Sequence, residues 1–168
     1  MKKNLVLIGM MGSGKSTIGK ILSNKTKLNL IDIDKLIEKK TNLKISDIFK
    51  KKGENFFRKI EEKITINSLK SSDNIIATGG GAFLNDKIRK EIENNGISIW
   101  LRWSEEILMS RIKNNKKRPM AYFLKEKELN KLMSDRAKIY SRADYKINCD
   151  NLSKGEITSK ILKIYEKE

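Results

Sequence analysis

The run Gly9-Met10-Met11-Gly12-Ser13-Gly14-Lys15-Ser16-Thr17 sets glycines, a lysine and two hydroxyls at the spacing G-x-x-x-x-G-K-[ST]. Glycines let successive backbone N–H groups turn inward and form a concave nest for an anion. A helix starting here adds the positive end of its dipole at the same point. Lys15 then reaches the outer phosphates and Ser16 ligates Mg2+, while Gly12, Ser13, Gly14 and Thr17 complete a cradle for a nucleoside triphosphate. The alternative is a chance glycine-rich turn; a position directly after an apolar run argues against it.

The loop does not say what is done with the triphosphate. A guanine-nucleotide switch carries Asn-Lys-x-Asp, but Asn24-Lys25-Thr26-Lys27 has a lysine at the acidic position, and no Asp-x-x-Gly follows a later strand. The 168 residues are too few for a large motor ATPase. There is no histidine and a single cysteine, which excludes a Ser-His-Asp triad, a histidine base, a disulfide framework and a thiolate zinc cage. Chemistry must run on carboxylates, lysine, arginine, hydroxyls and backbone amides. A small phosphotransferase fits these limits.

Three further groups are candidates for the acceptor side. Leu30-Ile31-Asp32-Ile33-Asp34 reads as a strand end with carboxylates two apart, so alternation puts both on one side of the sheet. Asp32 then serves Mg2+ through water and Asp34 faces an acceptor hydroxyl; a helix-capping aspartate followed by a turn residue is the bland alternative. In Gly53-Glu54-Asn55-Phe56-Phe57-Arg58-Lys59-Ile60-Glu61, Arg58 and Glu61 are helix neighbours. They form either an ordinary surface bridge or an anchored guanidinium that grips a carboxylate in bidentate fashion. Thr78-Gly79-Gly80-Gly81-Ala82 follows a strand, where glycines permit close approach of a ligand to backbone; a flexible turn is the alternative.

The elements that must position these groups show in the apolar pattern. Leu5–Ile8, Leu28–Ile33, Asn74–Thr78, Ile97–Trp103 and Tyr145–Cys149 predict buried strands. Lys15–Lys25, Glu54–Leu69, Asp86–Glu93, Glu105–Lys113, Glu126–Tyr140 and Lys154–Tyr165 have helical spacing. Such alternation predicts an α/β fold, a parallel sheet with helices on both faces, in one domain over residues 1–168. The Lys-rich stretch from 113 to 128, which holds the only proline, Pro119, is expected to be a mobile segment.

Lysine and arginine number 37 against 21 acidic residues, a formal charge of +16. The basic residues are scattered as pairs and triplets on polar helix faces, and aromatics make up only 7%. A base-stacking platform interleaves the two, so no specific nucleic-acid partner is expected, whereas small anions are favoured. No run approaches the roughly 18 apolar residues of a membrane span, and glycines break the first apolar run before any cleavage site. A cytoplasmic, membrane-free protein is expected, with Cys149 a small packing residue.

Taken together, the motifs resemble the shikimate kinase family over nearly the full length. The resemblance rests on the phosphate loop, Asp32-x-Asp34, Gly53-Glu54-x-x-Phe57-Arg58-x-x-Glu61, Gly79-Gly80-Gly81, Arg118-Pro119 and Leu132-Met133-x-x-Arg136-x-x-x-Tyr140. It implies a five-stranded parallel sheet of order 2-3-1-4-5 with a lid, and transfer of the γ-phosphate of ATP, with Mg2+, to the 3-hydroxyl of shikimate, a step of chorismate and aromatic amino-acid biosynthesis. It further implies that Arg58 and Arg136 bind the shikimate carboxylate and Asp34 its hydroxyls, with Gly80 beside them and Phe49 and Phe57 as walls. Arg118 is then the lid arginine on the transferring phosphate and Arg111 lies near adenine, the whole acting as a monomer. The lid departs from the usual Arg-Pro-Leu-Leu, reading Arg118-Pro119-Met120-Ala121. Another small-molecule kinase of this fold, such as a gluconate kinase, a basic nucleic-acid-binding module and a degenerate regulatory paralogue are the rival readings.

Overall fold

Asn4–Ile8, the first strand (β1), is buried at every residue and sits at the centre of the sheet. The computed structural model describes residues 3–113 and 124–168. β2 (Asn29–Asp32), β3 (Asn74–Ala77), β4 (Gly96–Arg102) and β5 (Tyr145–Asn148) complete a five-stranded sheet of order β2-β3-β1-β4-β5, and every pairing is parallel. The order and direction agree with the expectation. Alternation along β1 splits the core in two. Leu5 and Leu7 pack with Ile18, Leu22 and Ile161 on one face, whereas Val6 and Ile8 pack with Ile33, Ile37, Ile64, Leu108 and Met133 on the other.

Among the described residues eight helices cover the sheet. α1 (Lys15–Thr26) and α8 (Lys154–Tyr165) lie on the first face. α2 (Ile33–Thr41), α3 (Ile45–Lys52), α4 (Glu54–Leu69), α5 (Asp86–Asn95), α6 (Glu105–Lys113) and α7 (Glu126–Tyr140) contribute buried residues to the second. The strand expected over 28–33 is shorter than predicted, because Asp32 turns the chain. Its carboxylate accepts the Lys35 N–H at 3.2 Å and caps α2. Asp34 therefore sits in a first helical turn rather than on a strand, and strand alternation does not govern where the two carboxylates point. Asp32 thus does cap a helix, with one of its two oxygens engaged in the cap. α2 and α3 themselves were not anticipated. Trp103, expected to end β4, lies just beyond it.

Gly53 is at once the last cap of α3 and the first of α4, with φ of +81° and ψ of 169°. That region of backbone space belongs to glycine. A single residue thus sets the angle at which α4 presents Glu54, Arg58 and Glu61. The stretch proposed as a lid is described only at its ends: Lys113 closes α6, Glu126 opens α7, and the two form an ion pair at 2.8 Å. Arg118, Pro119, Met120 and Ala121 lie outside the described residues.

Candidate active site

The nine-residue loop leaves β1 with three glycines at positive φ, Gly9 (144°), Gly12 (85°) and Gly14 (88°), torsions that an L side chain resists. Lys15 starts α1, and its Nζ donates to Gly9 O (2.8 Å), Met10 O (3.0 Å) and Ser13 Oγ (3.3 Å). The ammonium is thereby held within the loop, against the loop's own oxygens. Ser16 and Thr17 stand exposed in the first turn. From outside, Trp103 Nε1 donates to Ser13 O at 2.9 Å and Arg111 donates to Gly12 O at 3.1 Å. The Arg111 guanidinium lies 3.8 Å over the Trp103 ring.

Beside the loop opens a cleft of about 600 Å³, lined among others by Arg58, Glu61, Gly81, Leu132, Asp135 and Arg136. Arg58 is held on two sides of its own helix, with NH1 on Glu61 Oε2 at 2.7 Å, and Nε and NH2 on Glu54 Oε1 at 3.2 and 3.1 Å. Those bonds leave one N–H on each terminal nitrogen uncommitted among the described residues, the pair that a planar carboxylate accepts. Burial works against the Arg58 charge, but Glu61 and Glu54 outweigh it and raise its pKa above the ordinary value. Glu61 is 2% exposed, and its Oε1 has no hydrogen-bond partner among the described residues. Burial raises its pKa, countered in part by Arg58. Phe57 carries Arg58 at 5.3 Å from its ring centroid and stacks, tilted, on Phe49 at 4.7 Å.

The glycine run explains itself residue by residue. None of the three has positive φ, so the need is for space. A Cβ on Gly79 would collide with Glu61 Oε1 and come within 3.0 Å of Asp34 Oδ1. On Gly80 it would stand 3.2 Å from the Met11 N and 3.4 Å from Arg136 NH1, and on Gly81 it would press to 2.7 Å from Arg58 Cζ. The run is the floor on which Asp34, Glu61, Arg58 and Arg136 converge. Tyr140 donates its hydroxyl to Gly80 O, and burial pushes its pKa up to about 12. Arg136 is 7% exposed; its NH1 reaches Met10 Sδ at 3.6 Å, and its Nε has no partner among the described residues. Asp34 keeps an exposed outer edge, while protein packed behind it desolvates the carboxyl and raises its pKa. Lys15 counters that rise, and Asp32 and Glu38 add to it.

The structure thus brings Lys15, Asp34, Phe49, Phe57, Arg58, Glu61, Gly79, Gly80, Gly81 and Arg136 to one edge of the sheet, beyond the carboxyl ends of β1 and β3, where ligands bind in open α/β sheets. Arg111 lies against the outer side of the loop, and Asp32 is occupied in capping α2. Arg118 is outside the described residues. Trp103 and Asp135 were not singled out from sequence, and Glu54 and Tyr140 entered only as motif positions without a role; the partners of Trp103 and Tyr140, Ser13 and Gly80, are ones that only the fold supplies.

A phosphate-cradling loop and lysine facing a cleft of guanidiniums and carboxylates define a P-loop kinase of a small molecule. A family model described as shikimate kinase matches residues 11–166. A shikimate kinase of Thermodesulfovibrio yellowstonii is 38% identical over 166 residues, spanning 98% of this chain and 96% of that one. The chain belongs to the shikimate kinase family, whose members are ATP-using phosphotransferases. A shikimate kinase from Acinetobacter baumannii, solved in complex with shikimate, matches with a TM-score of 0.92 at 30% identity over 99% of this chain and 94% of that one. A gluconokinase from Sinorhizobium meliloti matches with a TM-score of 0.58 at 17% identity over 98% of this chain and 92% of that one, a likeness of fold alone. No helix among the described residues is long and apolar enough to cross a membrane.

Proposed function

We propose that this cleft transfers the γ-phosphate of ATP to the 3-hydroxyl of shikimate. The observation that carries the reading is the pair of guanidiniums, Arg58 against Gly81 and Arg136 against Gly80, at a floor that also holds Asp34. In this reading Arg58 and Arg136 take the carboxylate of shikimate, with Phe49 and Phe57 walling the ring. Glu61 and Glu54 keep Arg58 from swinging to solvent. Asp34 accepts a hydrogen bond from the acceptor hydroxyl and so aims its oxygen at phosphorus. The bond to the leaving oxygen of ADP breaks as the new P–O bond forms, and the hydroxyl proton passes to Asp34. A carboxyl whose pKa is raised by desolvation is suited to receive it.

The nucleotide's phosphates lie in the loop against its backbone N–H groups, including those of Gly12 and Gly14, with Ser13 closing the turn between them through its bond to Met10 O, Lys15 on the outer oxygens and Thr17 beside them. Mg2+ takes few protein oxygens and several from phosphates and water. The donors here suit it: the exposed Ser16 hydroxyl as a direct ligand and Asp32 through water, since capping engages one of its oxygens. The ion supplies charge neutralisation when bound. Arg118, carried over from the family pattern, is assigned to the transferring phosphate, and Arg111 to the adenine end. One chain bears every group named, so a monomer suffices, at work in the cytoplasm where ATP is made. The test is ADP release measured with shikimate, with gluconate and with no acceptor. Release that depends on shikimate is expected; equal rates in all three would overturn the reading.

A further inference from the structure

The bond from Trp103 to the phosphate loop fixes more than a carbonyl. A peptide unit is planar and trans, so the N–H of one residue points opposite to the C=O of the residue before it. Trp103 Nε1 holds Ser13 O on the outer side of the loop at 2.9 Å, and this aims the Gly14 N–H to the inner side. The neighbouring peptide differs, because the Ser13 N–H is already spent on Met10 O at 3.1 Å. Gly14 is itself in the left-handed region (φ 88°, ψ 15°) and caps α1 without a side chain; its carbonyl accepts the Ile18 N–H at 2.9 Å, which leaves the peptide on its N-terminal side to the tie from Trp103. The same indole supports Arg111 on its face at 3.8 Å, and Arg111 ties down Gly12 O at 3.1 Å. The two outward carbonyls are thus secured by one stacked pair, Trp103 just after β4 and Arg111 in α6, neither of which belongs to the loop.

We propose that Trp103 is a positioning residue for ATP. It presets the Gly14 amide, and through Arg111 the Gly12 carbonyl, so that the loop meets the phosphates already shaped. The proposal rests on the reading that this loop holds ATP. It says nothing of the acceptor.

Steady-state kinetics of Trp103→Phe and Trp103→Leu, with the two substrates varied separately, test it. Phenylalanine keeps a ring under Arg111 and loses the N–H. The loss of one such hydrogen bond corresponds to about a fivefold rise in KM for ATP, with KM for shikimate unchanged. Leucine removes the platform too, and the rise is larger, about tenfold or more. A Trp103→Phe enzyme with wild-type KM for ATP overturns the proposal. So does one in which both KM values rise together, the mark of a merely structural role. A second measurement does not depend on those variants. With Trp100 replaced by phenylalanine, Trp103 is the only indole, and its emission is expected to shift on adding Mg·ADP and not on adding shikimate alone; no shift with Mg·ADP counts against the proposal. A wild-type chain that neither binds Mg·ADP nor turns over ATP defeats the underlying reading, and the proposal with it. A wild type active beside an unaltered Trp103→Phe defeats the proposal alone.

Discussion

Asp34 and Glu61 show how an acceptor site trades fold stability for chemistry. The Asp34 carboxyl has a raised pKa in the folded chain, chiefly through desolvation. The folded state therefore binds this proton more tightly than the unfolded chain, and ionisation of Asp34 weighs against folding as pH rises past the ordinary carboxylate range. Asp34→Asn removes that charge. We expect it to lower turnover by about a hundredfold or more while thermal unfolding stays where it was or moves slightly upward. A fall in both, seen in parallel melts and assays, would contradict the assignment. With the wild type, kcat/KM should drop on the acid side as Asp34 takes up its proton, and that limb should lie above the usual carboxylate pKa. Glu61→Gln keeps the shape but loses the charge facing Arg58 at 2.7 Å. KM for shikimate should rise by about tenfold, with a smaller change in KM for ATP.

At the scale of elements, Gly53 is the joint that matters most to the site. Nothing lies within 4 Å of a Cβ placed there, so the cost of Gly53→Ala is backbone strain alone. A loss of about 1–3 kcal/mol is expected, read by denaturant unfolding, together with weaker shikimate binding as the first turn of α4 shifts. The same region shows what was legible beforehand. The phosphate loop and the Arg58–Glu61 pair lie within a strand-to-helix turn and a single helix, so spacing alone exposes them. α2 and α3 escaped because nine and eight residues hold only about two turns of apolar rhythm. Ile33 and Ile37, then Ile45 and Ile48, carry that rhythm faintly among lysines. Asp32 and Asp34 were read as strand alternation because a capping aspartate and a strand-end aspartate look alike until the backbone turns. Trp103 on Ser13 and Tyr140 on Gly80 join residues that no local pattern connects.

For the molecule as a whole, a formal charge of +16 is spread over the surface while both substrates are anions. Long-range attraction raises encounter rates and is screened over about 8 Å at physiological salt. We therefore expect kcat/KM for shikimate to fall several-fold between about 50 and 500 mM salt with kcat nearly constant. A salt-independent kcat/KM would mean that the excess charge has no part in substrate capture.

The ties from Trp103 and Arg111 to the loop span 90 and 99 residues of sequence. Translation makes the loop well before the side chains that brace it, and the strands on either side of β1 also follow it. A nascent chain thus carries its nucleotide motif before Trp103 and Arg111 are there to hold its outward carbonyls. The shape of the loop is therefore settled together with the sheet, rather than growing outward from the motif.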